Sequence, residues 1–475
     1  MNRRKITFCL LIYMIVSFSW GQSTKPISSD SLSLEEFIGF VKKYHPIVKQ
    51  AGLELSEAQA KLLKARGAFD PKLSSNYNRK DFEDKRYFDL FDAGFKIPTW
   101  FGVELKAAFE QNEGEFLNPQ NNVPLDGLYK AGISVPIGQG LFISERMATL
   151  KQAKILNDIN AIKRQIIINQ LITDAITAFI EWEIAYDKMK LYQNFLNNAK
   201  VRFQGIKSSA EAGDRSAIDT VEAKIIVQNR QLQLEKANLK QTKKRLQLSN
   251  FLWIDNFIPL EINDLLAPAD ISSVELQQIL GNNTLLVQDF NLEDHPALRL
   301  TNFKIDQLEI NRRLKAEQLK PQLDLEYNFL SEDPDLANRY NTDNYTAGVK
   351  FRMPLFLRKE RGDLRLAKIK LRDEKINYDV KQLKLDNKIQ EAVATINSLR
   401  SQTNIIDDAT SNYQRMLEAE NRKFEFGESS VFLVNTREQK LIKARIDQIN
   451  INADLLKSKA KLFNVLAKEV TIEQE

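Results

Sequence analysis

The sequence predicts an α+β membrane protein: internally duplicated long α-helical coiled-coil hairpins plus β-strands contributing to a shared transmembrane β-barrel. Three observations carry that prediction. Several runs alternate apolar and polar residues with a period of two. Two long stretches are almost free of glycine and proline and carry apolar residues at helical spacing. The same signals also recur in the same order 250 residues apart: His45-Pro46 and His295-Pro296, Pro71 and Pro321, Tyr77 and Tyr327.

Met1 to Gly21 reads as a secretory signal peptide. Arg3, Arg4 and Lys5 precede an apolar run from Ile6 to Phe18, and Ser19 and Gly21 precede a cut expected before Gln22. About 13 apolar residues are too few to span a bilayer. Cys9, the one cysteine, leaves with this segment, so the exported chain is expected to have neither disulfides nor a lipid anchor. No later segment approaches 18 uninterrupted apolar residues, so any membrane crossing has to be made by strands.

Residues 22–250 form the first repeat. Ser31 or Ser33 caps a helix that buries Leu34, Phe37, Ile38 and Val41, and Pro46 restarts a second helix as far as Gly67. Strands are expected over about 73–137. Leu73, Ser75 and Tyr77 begin the first, and Phe91, Ala93, Phe95 and Ile97 mark the next. Phe101, Val103, Leu105, Ala107 and Phe109 mark a third, and Tyr129, Ala131, Ile133, Val135 and Ile137 a fourth. Each is close to the ~9–11 residues that cross a membrane at a tilt. A helical hairpin over about 144–249 follows, turning at Gly213-Asp214. Its returning arm carries Ile218, Ile225, Leu232, Leu239 and Leu246 seven apart, a heptad seam.

Residues 251–290, with Pro259 and Pro268, read as a compact equatorial segment between repeats. Residues 291–475 then repeat the plan: a helix from His295-Pro296 and strands over about 323–353. Leu323, Leu325, Tyr327 and Phe329 mark one strand; Tyr345, Ala347, Val349, Phe351 and Met353 mark the other. A charged turn at Arg358–Arg361 is expected before a second hairpin over about 363–467, which turns at Gly427. A helix of roughly 60 residues would be about 90 Å long, more than one globular core covers. Val434, Leu441, Leu455 and Leu462 fall on one seven-residue grid of the returning arm, and Ile442, Ile449, Leu456 and Phe463 on another.

The 68 basic and 63 acidic residues leave a net charge of +5 and are interleaved along helices, which argues against nucleic acid as a partner. No paired-carboxylate, Cys/His or glycine-rich phosphate pattern stands out, so neither an enzyme nor a cofactor or metal is expected. His45 and His295, the only histidines, both precede proline at a helix start, which points to a structural role.

The paired His-Pro starts, the helix–Pro–strand joints and the strands ending in Val135-Pro136 and Met353-Pro354 together resemble the TolC family of outer-membrane channels. The two hairpin turns, Gly213-Asp214-Arg215-Ser216 and Gly427-Glu428-Ser429-Ser430, resemble that family's glycine turn followed by serine. The resemblance covers nearly the whole chain beyond the signal. It implies a homotrimer with one shared barrel in the outer membrane and a large periplasmic tube of helices. Such a channel would be a passive exit duct of a tripartite efflux pump or type I secretion system, with a periplasmic adaptor and an inner-membrane transporter as partners and outer-membrane lipid around it. It further implies that Gly213, Ser216, Gly427, Ser430 and Val431 dock the adaptor. Asp219 and Glu222 would line the periplasmic entrance, unless they are ordinary solvated helix charges. The acidic rings of some members have no match at Leu433 and Thr436, nor have the arginine and tyrosine that close the entrance in others (Ser429, Phe424).

The family pattern is four strands per chain, whereas this sequence shows six candidates, because the Phe91–Phe109 pair has no counterpart in the second repeat. Two rival readings are a periplasmic coiled-coil scaffold or adaptor without a barrel, and an outer-membrane enzyme carried on one.

Overall fold

The computed structural model describes residues 31–280, 290–334 and 341–468. The signal peptide assigned to residues 1–21 lies outside the described residues. Strand β1 (Ser31–Leu32) leads into helix α1 (Leu34–Tyr44). Ser33 caps α1 by accepting from the Glu36 amide at 3.2 Å, with Glu35 and Glu36 in the first turn and Lys42 and Lys43 in the last, matching the helix dipole. Helix α2 (Pro46–Arg66) feeds β2 (Lys72–Phe82), β3 (Lys85–Pro98), β4 (Glu104–Glu113) and β5 (Leu128–Pro136). The long α3 (Glu145–Glu211) and returning α4 (Ala217–Ser249) follow.

The equatorial segment contains β6 (Trp253–Ile254), β7 (Ile258–Pro259), β8 (Ala267–Pro268) and α5 (Ser273–Leu280). The second repeat is α6 (Pro296–Glu317), β9 (Gln322–Ser331), β10 (Tyr345–Arg352), α7 (Arg358–Glu425) and α8 (Val431–Leu466). At 67 and 68 residues, α3 and α7 are each about 100 Å long.

Two boundaries differ from the sequence expectation. Phe101 and Val103 keep the alternation of β4 but lie before it, in a turn closed by Thr99, whose amide and hydroxyl both donate to the Val103 carbonyl, and by Gly102 at φ +82°. Arg358–Arg361 is not a turn but the start of α7, which continues through Gly362. A single helical glycine costs about 1 kcal/mol, which the packing of so long a helix overrides.

The two histidines explain why the repeats begin alike. Each is an N-cap whose Nδ1 accepts from the amide two residues on, Ile47 at 3.2 Å and Ala297 at 3.0 Å. With Nδ1 accepting, the proton is on Nε2, and that nitrogen of His295 donates to the Val465 carbonyl at 2.8 Å. His45 makes the equivalent bond to the Asn250 backbone. In each repeat the ring therefore starts one helix and ties it to the end of the returning arm. Burial lowers both pKa values and keeps the rings neutral.

The six long strands form one antiparallel sheet in the order β10–β9–β5–β4–β3–β2. Beside it the helices lie α2–α3–α6–α7, and towards the far end α4–α3–α8–α7. The main core lies at the equator, where Leu32 and Phe37 meet Phe179, Trp182, Leu252, Leu276 and Phe463. The chain exposes 30638 Å², against about 18,000 Å² for a globular monomer of this mass. The single chain is therefore an open wall with long faces left uncovered.

Glu183 of α3 sits at this equator and accepts from the Ile271 amide at 2.9 Å. Burial, with Asp187, Asp270 and Glu275 nearby, pushes its pKa up to about 7. Between the ordinary carboxylate range and pH 7 the folded chain holds a proton that the unfolded chain has lost. Stability from this group therefore falls as pH rises through that window, by at most about 3 kcal/mol, and is level above it. The Tm difference between pH 5 and pH 8 should change in Glu183→Gln, the wild type losing more stability on going to pH 8. Identical pH profiles for the two proteins would refute this role.

Candidate functional site

Cross-strand register gives the sheet two unlike faces. Tyr77 pairs with Phe91, Phe95 with Ala107, Phe109 with Tyr129, Ile133 with Tyr327 and Val349 with Leu325, so apolar residues continue across all six strands on one side. The other side carries Lys96, Glu104, Lys106, Glu110, Lys130, Glu326 and Lys350. These charges are paired: Lys350 with Glu326 at 2.9 Å, Lys96 with Glu104 at 2.5 Å, Lys106 with Glu326, and Lys130 with Glu110. Gly132 lies between Lys106 and Asn328 in the register, and a Cβ there would come within 2.1 Å of the Tyr327 carbonyl. The bare glycine allows Lys106 to reach across β5 to Glu326. A ribbon apolar on one side and charged on the other has the alternation of a barrel wall with lipid outside and water inside. Among the described residues no helix is long and apolar enough to cross a membrane.

Both margins of the wall are unpartnered. β2 and β10, the sheet edges, are exposed along their whole length. On α4, the expected seam of Ile218, Ile225, Leu232, Leu239 and Leu246 is not packed within the chain: these residues are 50–66% exposed. The face of α4 that packs inside the chain is instead Ala223, Ile226, Arg230, Leu234 and Ala237. The opposite margin, α7, exposes Leu366, Ile369, Ile376, Val380 and Leu383. The grids of α8, by contrast, are buried at Val434, Leu441, Leu462 and Phe463, because α8 lies between α3 and α7.

The two hairpin turns meet at the end far from the sheet. Gly213 at φ +86° and Gly427 at φ +79° each end a helix in the left-handed conformation. Each turn is closed by the same pair of backbone bonds, Gly213 to Ala210 and Asp214 to Ser209, and Gly427 to Phe424 and Glu428 to Lys423. Arg215 of one turn stacks on the Phe424 ring below the other at 4.2 Å. Ser216 is the exposed N-cap of α4, and Ser430 caps α8 by accepting from the Leu433 amide.

Val431, expected at a docking surface, is 2% exposed and packs on Ala199, Ile206, Ala223 and Ile226, so in this chain it supports the tip from inside. The exposed apolar residues around the turns include Phe426, Phe432, Leu433, Ile218 and Val221. Asp219 and Glu222 are half-buried in the first turns of α4, beside the Ala223 and Ile226 face.

Sequence spacing gave no sign of the buried charges above the tip. Glu438 of α8, 1% exposed, receives Arg202 of α3 at 3.3 Å and Arg230 of α4 at 3.4 Å. Nearer the turn, Glu420 accepts from Ser429 at 2.6 Å and Arg437 at 3.4 Å. The Arg202–Glu438–Arg230 cluster is the joint between the two hairpins. Removing the carboxylate leaves two cations facing each other in a dry site, a loss of about 3–5 kcal/mol. Glu438→Ala should therefore speed amide exchange along α8 near Val434–Leu441 while leaving the equatorial amides around Trp182 unchanged. Unaltered exchange at both places would show that the cluster is not what holds the hairpins together.

Residues 289–468 match the sequence profile described as outer membrane efflux protein. No curated protein matches the sequence. Among solved structures, the fold is similar to that of the Campylobacter jejuni CmeC outer membrane channel. The TM-score is 0.62 at 16% identity, covering 91% of this chain and 85% of that one. It is also similar to the open state of the Neisseria gonorrhoeae MtrE outer membrane channel, with TM-score 0.64, 13% identity and coverage of 93% and 90%. The outer membrane protein VceC from Vibrio cholerae gives 0.64 at 12% identity, with coverage of 92% and 97%. Residues 289–468 thus match the outer membrane efflux protein profile, and over nine-tenths of its length the chain has the fold of these channels.

Proposed function

We propose that the chain is one third of an outer-membrane exit duct for a tripartite efflux or secretion machine. Three copies close one barrel through the outer membrane, and their helices continue it as a periplasmic tube. The observation that carries the reading is the pair of unpartnered margins: open strand edges above, and exposed apolar helix rows on α4 and α7 below. An open sheet edge is not viable in lipid, and rows repeating every seven residues call for facing helices. The duct is passive, so energy and most substrate selection enter through an inner-membrane transporter, reached through a periplasmic adaptor. A barrel-free scaffold would leave the two-faced sheet without a use.

The adaptor meets the tip. Gly213 and Gly427 shape the turns, Ser216 and Ser430 offer polar contacts, and Phe426 and Phe432 offer apolar ones. Val431 keeps these groups in place rather than touching the partner. Asp219 and Glu222 of three copies lend negative charge to the entrance and favour cations there.

The purified protein should extract from membranes only with detergent, cross-link as a trimer and give stepwise conductance in planar bilayers. A monomer that never conducts, even after Arg215→Ala loosens the tip, would overturn the reading. Leu232→Glu and Leu239→Glu, placed on the exposed α4 row, should each weaken trimer assembly by at least about tenfold, since a buried leucine contributes about 1.5–3 kcal/mol. Helix content by circular dichroism should stay unchanged. A trimer that tolerates both changes would place the α4 row in water.

A further inference from the structure

We infer that all six strands of each subunit stand in the barrel wall, so that the trimer closes with eighteen strands rather than the twelve that four per chain would give. The inference rests on the shared-barrel reading above and adds a partner surface to it: β2 of one subunit pairs with β10 of the next copy.

The extra strands are β3 and β4. Within the sheet they lie between β2 and β5, hydrogen-bonded on both sides over eleven and seven residue pairs respectively. They are therefore not appended to an edge or folded over a face. Their alternation also continues the two sides of the wall without a break. Ala93 and Ala107 join the apolar side, beside Phe95 and Phe109. Gly94 and Ala108 join the charged side, beside Lys96 and Lys106.

The turn between β3 and β4 is seated on the helices below. Trp100 packs against two clusters at the upper ends of α2 and α3, one of Ala65, Leu150 and Ala153 and one of Ile143, Met147 and Ala148, with its ring 5.7 Å from Phe69. At the foot of the hairpin Glu104 takes Lys96 from β3 and Arg146 from the first turn of α3, the latter at 2.9 Å. A hairpin lying outside the barrel would have neither its turn planted at the junction nor its charges shared with the wall.

Strand polarity permits closure. β2 leaves the helices and β10 returns to them, so the two free edges run antiparallel when copies stand side by side. Both present the same two sides, Leu73 and Tyr77 matching Val349 and Phe351, and Asn76 and Asn78 matching Thr346 and Lys350. The width fits as well. Six strands about 4.8 Å apart and tilted about 40° take about 38 Å of circumference. The four helices beneath them, α2, α3, α6 and α7, take about 36 Å at about 9 Å each. Four strands at the same tilt would take about 25 Å.

Electron cryomicroscopy of the full-length trimer in lipid nanodiscs should show eighteen strands with β2 hydrogen-bonded to the neighbouring copy's β10. A twelve-stranded trimer with β3 and β4 off the wall would overturn the inference and leave the channel reading standing. A chain with no shared barrel would overturn both. A chemical test uses Ala107→Cys and Ala108→Cys in membranes. With the hairpin in the wall, Ala107→Cys reacts only with a lipid-soluble maleimide, and Ala108→Cys also reacts with an impermeant one. Equal reaction of both cysteines with the impermeant reagent would place the hairpin in water and refute the eighteen-stranded wall.

Discussion

Backbone amides and carbonyls cannot be left unpaired in hydrocarbon, where each costs several kcal/mol. The architecture follows from that constraint. Within one chain every interior strand satisfies the rule, and β2 and β10 break it along their full length. The sheet is thus a stable arc with two unsatisfied ends, and only other arcs of matching polarity can complete it. Because both termini of each strand group return to the helices, the number of strands has to be even. An inserted hairpin is consequently the smallest change that widens the arc without reversing a connection.

The helices obey a weaker version of the same rule. Water satisfies their exposed polar faces, but rows such as Ile218–Leu246 on α4 remain costly in solvent. Position in the wall decides whether a row is covered by the chain itself. α3 and α8 are flanked on both sides and bury their apolar residues. α4 and α7 stand at the margins and keep a row for a neighbour. The open edges of sheet and tube belong to the same two sides of the subunit, so in the proposed trimer one set of contacts between copies would cover both.

Most of what was legible in the sequence was local. Period-two alternation marked the strands, His-Pro marked the helix starts, and the glycines at 213 and 427 marked the turns, because each acts within a few residues of backbone. The register of the repeats exposed the duplication, and counting alternating runs found all six strands. Alternation alone misled at Phe101 and Val103, where the pattern runs on through a turn. What stayed hidden was non-local. A seven-residue period reads the same on α4, where the row is bare, and on α8, where it is buried, since facing partners are set by the order of helices. Val431 was placed at the docking surface by the family resemblance, yet the neighbouring hairpin covers it. Arg202, Arg230 and Glu438 come together from three helices more than 200 residues apart at the extremes, with no spacing rule to announce them.

Those hidden contacts divide the tube into parts that differ in how easily they move. Around Trp182 the helices are held by large apolar side chains from α1, α3, α5 and α8, a core that can rearrange only by opening cavities. Nearer the tip the apolar clusters become small, and between them the joint of α8 with α3 and α4 carries one buried carboxylate and two guanidinium groups. Paired buried charges are a poor source of net stability, because desolvation offsets most of their attraction, but they fix one arrangement sharply and cost much when half-broken. The cation–π contact of Arg215 on Phe424 and the bond from Ser429 to Glu420 are of the same directional kind. The tube is therefore divided along its length: dense apolar packing at the equator, and smaller clusters with a few oriented polar contacts at the hairpin tips.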